Sequence, residues 1–136
     1  MMKSIVTDVF FLSQPSKPAT KADRFIGQEL QATLVANKDR CVGLAANMIG
    51  YHKRVIIIDL GLSSLVMFNP VLLSKSQPYE TQEVCLSLSG SRQTTRYREI
   101  RVRFFNQQWQ EQTLTLTDFP AQICQHELDH LDGILI

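Results

Sequence analysis

The sequence of 136 residues lacks the features that mark secreted, membrane-bound and nucleic-acid-binding proteins. It has only three cysteines, an odd number that argues against a disulfide framework. No apolar stretch approaches the roughly 20 residues of a membrane helix, and the N-terminal apolar run is interrupted by Thr7 and Asp8, unlike a signal peptide. A net charge of +1 gives no basic surface for nucleic acid. We therefore expect a cytoplasmic protein without direct contacts to membrane or nucleic acid.

The composition that remains is that of a folded domain. Hydrophobic residues make up 44% of the chain and charged residues 20%, as in ordinary globular proteins. A domain near this length buries roughly two thirds of the surface that its unfolded chain exposes. The sequence contains neither an internal repeat nor a low-complexity segment. These observations predict a single domain over residues 1–136.

Hydrophobic periodicity places a helix towards each end of the chain, with strands between them. Apolar residues at helical spacing predict an amphipathic helix over 21–37. A second helix is predicted to begin with Asp118 as its cap and to end near Gly133. This order of elements indicates an α+β fold. Strands are predicted at 54–59, 65–73, 100–104 and 113–116. The second of these strands is predicted to break at Asn69–Pro70, and Pro78 is predicted to mark a loop that follows it.

The strongest chemical pattern is a pair of histidines four residues apart. His126 and His130 lie on one face of the predicted helix, within reach of a single metal ion. Glu127 lies about 100° further round the helix, where it can reach water on the ion without binding the metal. A metal lowers the pKa of such water to about 7, and a carboxylate can then accept its proton. Because the chain has only three histidines, a chance pairing is the weaker interpretation.

Spacing alone leaves the third ligand open. Asp132 is the one candidate after His130 and is too near to fold back easily, so we expect a ligand from upstream. A thiolate binds Zn²⁺ or Fe²⁺ well, and on spacing Cys85 and Cys41 are equally suitable. Zinc proteases usually place their third ligand downstream, which disfavours a protease.

Three segments, in order, resemble the three signature motifs of peptide deformylases. Residues 43–50 (GLAANMIG) resemble the first motif, residues 83–87 (EVCLS) the second, and residues 125–131 (QHELDHL) match the third without departure. The resemblance covers nearly the whole chain. It implies antiparallel sheets packed around a C-terminal metal-binding helix, and it places the chain near the shorter family branch that lacks a further C-terminal helix.

This resemblance implies a hydrolase that removes the formyl group from the N-terminal formyl-methionine of new polypeptides. The implied metal is Fe²⁺, with Zn²⁺, Ni²⁺ or Co²⁺ able to occupy the site. The implied partner is a formyl-methionyl peptide, carried by nascent chains near the ribosome. The motifs assign roles as follows: Glu127 as general acid/base, the Leu86 N–H as oxyanion donor, and the metal ligands Cys85, His126 and His130.

Substrate contacts are implied for the first two motifs and their surroundings. Gly43 would let the backbone approach the substrate, and Leu44 would contact it through the main chain. Arg92 is a candidate for binding a substrate carbonyl or carboxylate. We expect the strand 100–104 and residues near His126 to form the apolar wall of the methionine pocket.

Two residues depart from the family motifs. Met48 stands in a catalytic position that a glutamine occupies in the family. The side-chain amide of that glutamine donates a hydrogen bond to the oxyanion, whereas the thioether of Met48 has no donor. In other enzymes, loss of one oxyanion donor lowers the catalytic rate by a factor of about 10²–10³. Val84 replaces a glycine, and a β-branched residue would be strained there if φ were positive.

These departures leave two hypotheses. In the first, the protein is an active deformylase in which Asn47, water or backbone replaces the lost amide. In the second, it is a weakened paralogue that binds metal and peptides. Retention of Glu127 favours the first hypothesis, because an inert binding protein has no need for a general base.

The remaining candidates have mainly structural interpretations. Cys41 and Cys124 are expected to pack in the interior, although the position of Cys41 beside the first motif leaves a reactive thiol open. His52 is expected in an exposed loop. Arg96 is expected to hold the strand that follows it. Asp129 is expected either to cap a loop or to pair with an arginine.

Overall fold

In the computed structural model, which describes residues 2–136, five antiparallel strands form one sheet in chain order. Each strand pairs with the next. The α+β class and the antiparallel pairing predicted from the sequence are confirmed. The strands are β1 (Gly43–Ala45), β2 (Val55–Asp59), β3 (Ser64–Val84), β4 (Ser91–Phe105) and β5 (Glu111–Thr117).

Within residues 2–136, three α-helices accompany the sheet: α1 (Val9–Leu12), α2 (Arg24–Ala36) and α3 (Asp118–Leu131). The helix predicted over 21–37 is confirmed as α2 with a preceding 3₁₀ turn. The last helix was predicted to use Asp118 as its cap, but it begins at Asp118 itself, after Thr117. Among residues 2–136, no helix has the length and apolar content needed to cross a bilayer.

Strand β2 forms the centre of the core. Its residues Val55 to Ile58 are all fully buried. Successive residues of a strand face opposite sides of the sheet, so burial of all four requires cover on both faces. Both α2 and α3 pack against β2 and provide this cover. The helix that carries the paired histidines is therefore fixed against the most buried strand.

The hairpin of β3 and β4 differs from the prediction. Asn69–Pro70 was predicted to break a strand and Pro78 to mark a loop, yet β3 continues through both. The ladder is irregular between Phe68 and Val71, and Asn69 has a positive φ of 52°. This irregularity accommodates the proline, which cannot donate to a regular ladder. The Asn69 side chain also bonds both ways with the Ala19 backbone, at 2.7 and 2.9 Å.

The three motif segments meet around α3. The first motif forms β1 and a 3₁₀ turn, Ala46–Ile49. The second motif spans the end of β3 and the turn that follows, and the third lies within α3. Helix α3 packs against β1, β2, β4 and the 3₁₀ turn. This packing joins segments that are far apart in the sequence.

Candidate metal centre

One thiol and two imidazoles form a ligand group at the junction of the motifs. The ligand atoms of Cys85, His126 and His130 all lie within 4.8 Å of one another. All three side chains are buried. Cys85 lies just after β3, and the histidines project from successive turns of α3. Cys41 is outside this group, so the geometry decides the alternative that spacing had left open.

The chemistry of these donors fits a divalent transition metal. Burial raises the pKa of the Cys85 thiol, but hydrogen bonds with His126 and His130 outweigh burial and lower it to about 6. The thiolate that a metal requires is therefore the main form at neutral pH. Mixed sulfur and nitrogen donors suit zinc and iron, and three protein ligands are typical of a catalytic site with an open position.

Each histidine has a carboxylate partner at its Nδ1 atom. His126 Nδ1 lies 2.7 Å from Glu83 Oε1, and His130 Nδ1 lies 2.9 Å from Glu127 Oε1. Burial lowers the pKa of both imidazoles, but these neighbours and Cys85 raise it, to about 9 for His126 and about 10 for His130. Carboxylates in this position orient ligating imidazoles and leave Nε2 for the metal.

Glu127 is held close to the first motif because Gly43 has no side chain. A Cβ atom at Gly43 would lie 3.0 Å from Glu127 Oε2 and 2.7 Å from Ile123 Cγ2. Both contacts are tighter than ordinary van der Waals packing. The glycine thus allows α3 to approach β1. One oxygen of Glu127 contacts His130, while the other faces Gly43.

A buried ion network supports the ligand His126. Arg96 is 4% exposed and donates to Glu83 at 2.7 Å and to Asp129 at 2.7 Å. Burial raises the pKa of Glu83, but hydrogen bonds, first with His126 and then with Arg96, lower it to about 2. Arg96 was expected to hold the strand that follows it, and it also pairs with two carboxylates. Asp129 pairs with this arginine, which was one of its two predicted roles. Glu83 and Arg96 are 13 residues apart and meet across the hairpin, which the sequence does not reveal.

Replacing Arg96 with methionine should destabilise the protein strongly. Glu83 would lose its buried ion pair with Arg96, and breaking such a pair costs about 3–5 kcal/mol. Urea unfolding of the metal-free protein at neutral pH measures this loss. The matched control is Arg98→Met, because Arg98 and its partner Asp118 are both well exposed. We expect a change within about 0.5 kcal/mol for the control. Equal effects of the two substitutions would contradict this account of the network.

An open cleft of about 590 Å³ leads to the ligand group. This volume is in the range of small-molecule and peptide sites. Val42 and Val84, which are substantially exposed, lie on its walls. The residues with assigned roles that line it are Gly43, Met48, Cys85, Leu86, His126 and Glu127.

Other residues with expected substrate roles lie outside the lining of the cleft. Leu44 is fully buried in β1. Arg92 donates from Nη1 to the Ser89 carbonyl at 3.3 Å. The strand 100–104 was expected to wall the methionine pocket, but its apolar side chains belong to the buried core. Phe119 and Ile123, from α3, line the cleft instead. Helix α3 packs against β4, and the cleft lining includes side chains of α3 but none of residues 100–104.

The motif departures have different consequences. Val84 lies in extended strand and is not among the residues with positive φ, so the strain expected for a β-branched residue is absent at this described position. Its side chain is 72% exposed. Met48 is 2% exposed, and its sulfur lies 3.5 Å from the Ala45 amide nitrogen. Asn47 does not replace the lost amide, because its Nδ2 donates to the His130 carbonyl at 2.9 Å.

The remaining cysteines and histidine do not join the ligand group. Cys41 and Cys124 are buried, as predicted. Burial raises the pKa of each thiol to about 12, so Cys41 has no reactive thiolate at neutral pH. His52 was predicted in an exposed loop, but it is half-buried and stacks on Phe11 with ring centroids 4.0 Å apart.

Comparisons with known proteins agree with this geometry. The family described as Polypeptide deformylase matches residues 2–136. The chain is 48% identical to a peptide deformylase of Clostridium beijerinckii over 100% of both chains. It is 34% identical to peptide deformylase 3 of Shewanella oneidensis, over 89% of this chain and 76% of that one.

Solved structures give the same result for the fold. The crystal structure of peptide deformylase from Thermotoga maritima matches with a TM-score of 0.88 and 28% identity, over 99% of this chain and 95% of that one. A class I type b peptide deformylase from Acinetobacter baumannii, bound to Met-Ala-Ser, matches with a TM-score of 0.88 and 27% identity, over 99% of this chain and 97% of that one. The chain therefore belongs to the peptide deformylase family.

Proposed function

We propose that this protein uses Fe²⁺ to remove the formyl group from the N-terminal formyl-methionine of nascent polypeptides in the cytoplasm. One observation carries the proposal: Cys85, His126 and His130 form one buried ligand group, and Cys85, His126 and Glu127 of this site line the cleft. Family membership supports the reaction and the preference for Fe²⁺ over Zn²⁺, Ni²⁺ or Co²⁺. The single domain 1–136 is proposed to carry all of these residues.

The ion would be held by the thiolate and the two imidazoles. When bound, it supplies Lewis acidity, which lowers the pKa of water towards about 7 and polarises a carbonyl. Glu83 and Glu127 orient the two imidazoles through their Nδ1 atoms. The thiolate of Cys85 supplies negative charge at neutral pH, because its pKa is about 6.

Glu127 is the group that moves protons in this proposal. Its carboxylate lines the cleft beside the ligands, where it can accept a proton from water. It then donates that proton to the amine that leaves when the formyl C–N bond breaks. Gly43 leaves room for this carboxylate to reach the cleft. Its contact with His130 fixes one oxygen, while the other lies beside Gly43.

The substrate is proposed to lie between the first two motifs. Gly43 and Leu86 line the cleft, so the backbone of Gly43 and the N–H of Leu86 are proposed to contact the peptide and the developing oxyanion. Phe119 and Ile123 offer an apolar surface for the methionine side chain. The relative that binds Met-Ala-Ser supports a peptide with N-terminal methionine. Direct substrate contacts of Leu44 and Arg92 remain predictions, and nascent chains near the ribosome are the proposed source of substrate.

An assay of deformylation tests the function directly. The protein is purified anaerobically with Fe²⁺, and the release of formate from a formyl-methionyl peptide is measured. We expect turnover well above that of a Glu127→Ala control. Turnover equal to the control would reject the enzyme and leave a metal- and peptide-binding protein.

Replacing Met48 with glutamine should increase activity. Met48 lines the cleft and has no donor, and the nearby Asn47 amide is occupied by backbone carbonyls. A glutamine of similar size would add one oxyanion donor. We expect kcat/KM to rise about tenfold or more, towards the 10²–10³ that one such donor contributes elsewhere.

Met48→Leu is the matched control, because leucine also lacks a donor, and its kcat/KM should not rise. A lower rate for Met48→Gln would mean that the site is built around the thioether.

A further inference from the structure

Two buried polar atoms close to the metal ligands lack a protein partner within residues 2–136. They are Asn47 Oδ1 and Ser87 Oγ. Asn47 is 1% exposed and Ser87 is 5% exposed, so bulk solvent does not satisfy either atom. Buried polar atoms in native proteins are almost always hydrogen-bonded, to protein or to ordered water. Each of these atoms therefore requires a partner.

Both residues line one small cavity behind the ligand group. The centre of a water molecule can occupy about 10 Å³ of this cavity, which is room for about one water molecule. Cys85 and His130 also line it, and most of the other lining side chains are apolar. His126 and Glu127 line the open cleft but not this cavity. Cys85 and Met48 line both spaces, so the cavity lies next to the cleft at these two side chains.

We propose that one fixed water molecule occupies this cavity and bridges Asn47 Oδ1 and Ser87 Oγ. The water donates to the amide oxygen of Asn47, which can only accept. The Ser87 hydroxyl can donate to the same water or accept from it. A single molecule therefore satisfies both atoms, and the cavity has both the size and the polar partners that a buried water needs.

The bridge would make Asn47 and Ser87 positioning residues for the metal ligands. Asn47 Nδ2 donates to the backbone carbonyl of His130 at 2.9 Å and of Leu12 at 3.4 Å. The Ser87 backbone N–H donates to Cys85 Sγ at 3.4 Å. The water therefore connects a residue bonded to α3 with the turn that carries Cys85.

This connection matters because the ligands come from different elements. His130 lies in a regular helix, whereas Cys85 begins a turn in which the Leu88 N–H donates to the Cys85 carbonyl at 3.1 Å. The bridge fixes the turn relative to the helix before the metal binds. Groups that orient metal ligands in this way typically change metal affinity by about 10–100-fold. The inference rests on the proposed metal site but not on deformylation.

A high-resolution crystal structure of the metal-loaded wild-type protein tests the bridge directly. We expect one well-ordered water within hydrogen-bond distance of both Asn47 Oδ1 and Ser87 Oγ. An empty cavity, or side chains turned to other partners, would overturn the proposal. This readout does not depend on activity, so a protein that fails to deformylate can still contain the bridge.

Ser87→Ala tests the positioning role, with Co²⁺ alone as the probe. We expect about tenfold weaker Co²⁺ binding in competition with a chelator, and a shift of the thiolate-to-cobalt absorption band. Ser16→Ala is the matched control. Ser16 Oγ is also buried without a protein partner within residues 2–136, but Ser16 does not line the cavity. Equal Co²⁺ affinity and spectra for wild type, Ser87→Ala and Ser16→Ala would refute the positioning role.

A double-mutant cycle tests whether both residues act through the same bridge. In an Asn47→Leu background, Ser87→Ala should cause no further loss of Co²⁺ affinity, because the water has already lost a partner. Full additivity of the two losses would contradict a shared water. Should Asn47→Leu fail to fold, the wild-type crystal structure and the Ser87→Ala measurement still decide the proposal. Absence of Co²⁺ binding in the wild type would reject the metal site itself, whereas normal metal content without the water would reject only the bridge.

Discussion

Replacing Cys85 with alanine should leave the protein without bound metal after anaerobic dialysis, while the wild type keeps its metal. Cys85 is the ligand that carries negative charge, because its pKa of about 6 makes it a thiolate at neutral pH. Without it, no anionic ligand remains, and His126 and His130 must still lose their extra protons before they can bind a metal. Two imidazoles alone do not complete the three-ligand set of a catalytic site. Elemental analysis of the dialysed proteins measures the loss.

Cys41→Ala provides the matched control for this prediction. Cys41 is also a buried thiol that lines the cleft, but it lies outside the ligand group. Its pKa is raised to about 12 by burial, so it offers no thiolate at neutral pH. We expect Cys41→Ala to retain the full metal content. Loss of metal from this variant and retention by Cys85→Ala would reverse the ligand assignment.

Replacing Glu127 with glutamine should lower kcat by about 10²–10⁴, the usual contribution of a general acid or base. Glutamine keeps an oxygen that can accept from His130 Nδ1, as Glu127 Oε1 does at 2.9 Å. It cannot accept the proton of water, nor return a proton to the leaving amine. Metal content should therefore stay close to that of the wild type. Steady-state kinetics and metal analysis on the same preparation separate the two effects.

Glu127→Ala distinguishes proton transfer from orientation of the ligand. Alanine removes the partner of His130 as well as the base, and loss of such a partner typically weakens metal binding by about 10–100-fold. We expect both variants to lose turnover, but only the alanine variant to lose metal affinity. A Glu127→Gln protein with nearly normal kcat would show that another group transfers the proton. The side chain at position 127 would then have only an orienting role.

The sequence predicted local features well where neighbouring residues decide the structure. The helix over 21–37 and the strand at 54–59 follow from apolar spacing, and both are present as α2 and β2. Pro78 was predicted to mark a loop, but it lies within β3 and pairs with Tyr97 of β4, while the break predicted at Asn69 is present only as an irregularity in the ladder. Pairing between the two strands therefore overrides the local preference of this proline for a turn. Local sequence patterns alone do not indicate that β3 and β4 pair over this length.

In the metal site too, some features follow from the sequence motifs and others from tertiary packing. The spacing of His126 and His130 on one helical face is a property of the sequence, and so is the position of Glu127 between them. The choice of Cys85 over Cys41 needed the fold, because both thiols are far from α3 along the chain. Arg96 was assigned a minor role, since its carboxylate partner becomes adjacent only when the hairpin forms.

The sequence by itself determined the paired histidines, the base between them and the three motifs of the deformylase family. These features are short-range, since helical geometry alone fixes which side chains share a face. The tertiary structure decided which thiol completes the ligand group, how the carboxylates orient the imidazoles, and that Val84 carries no backbone strain. It also brought Asn47 and Ser87 to one small cavity. These features depend on distances between segments remote in sequence, which the packing of α3 against the sheet sets.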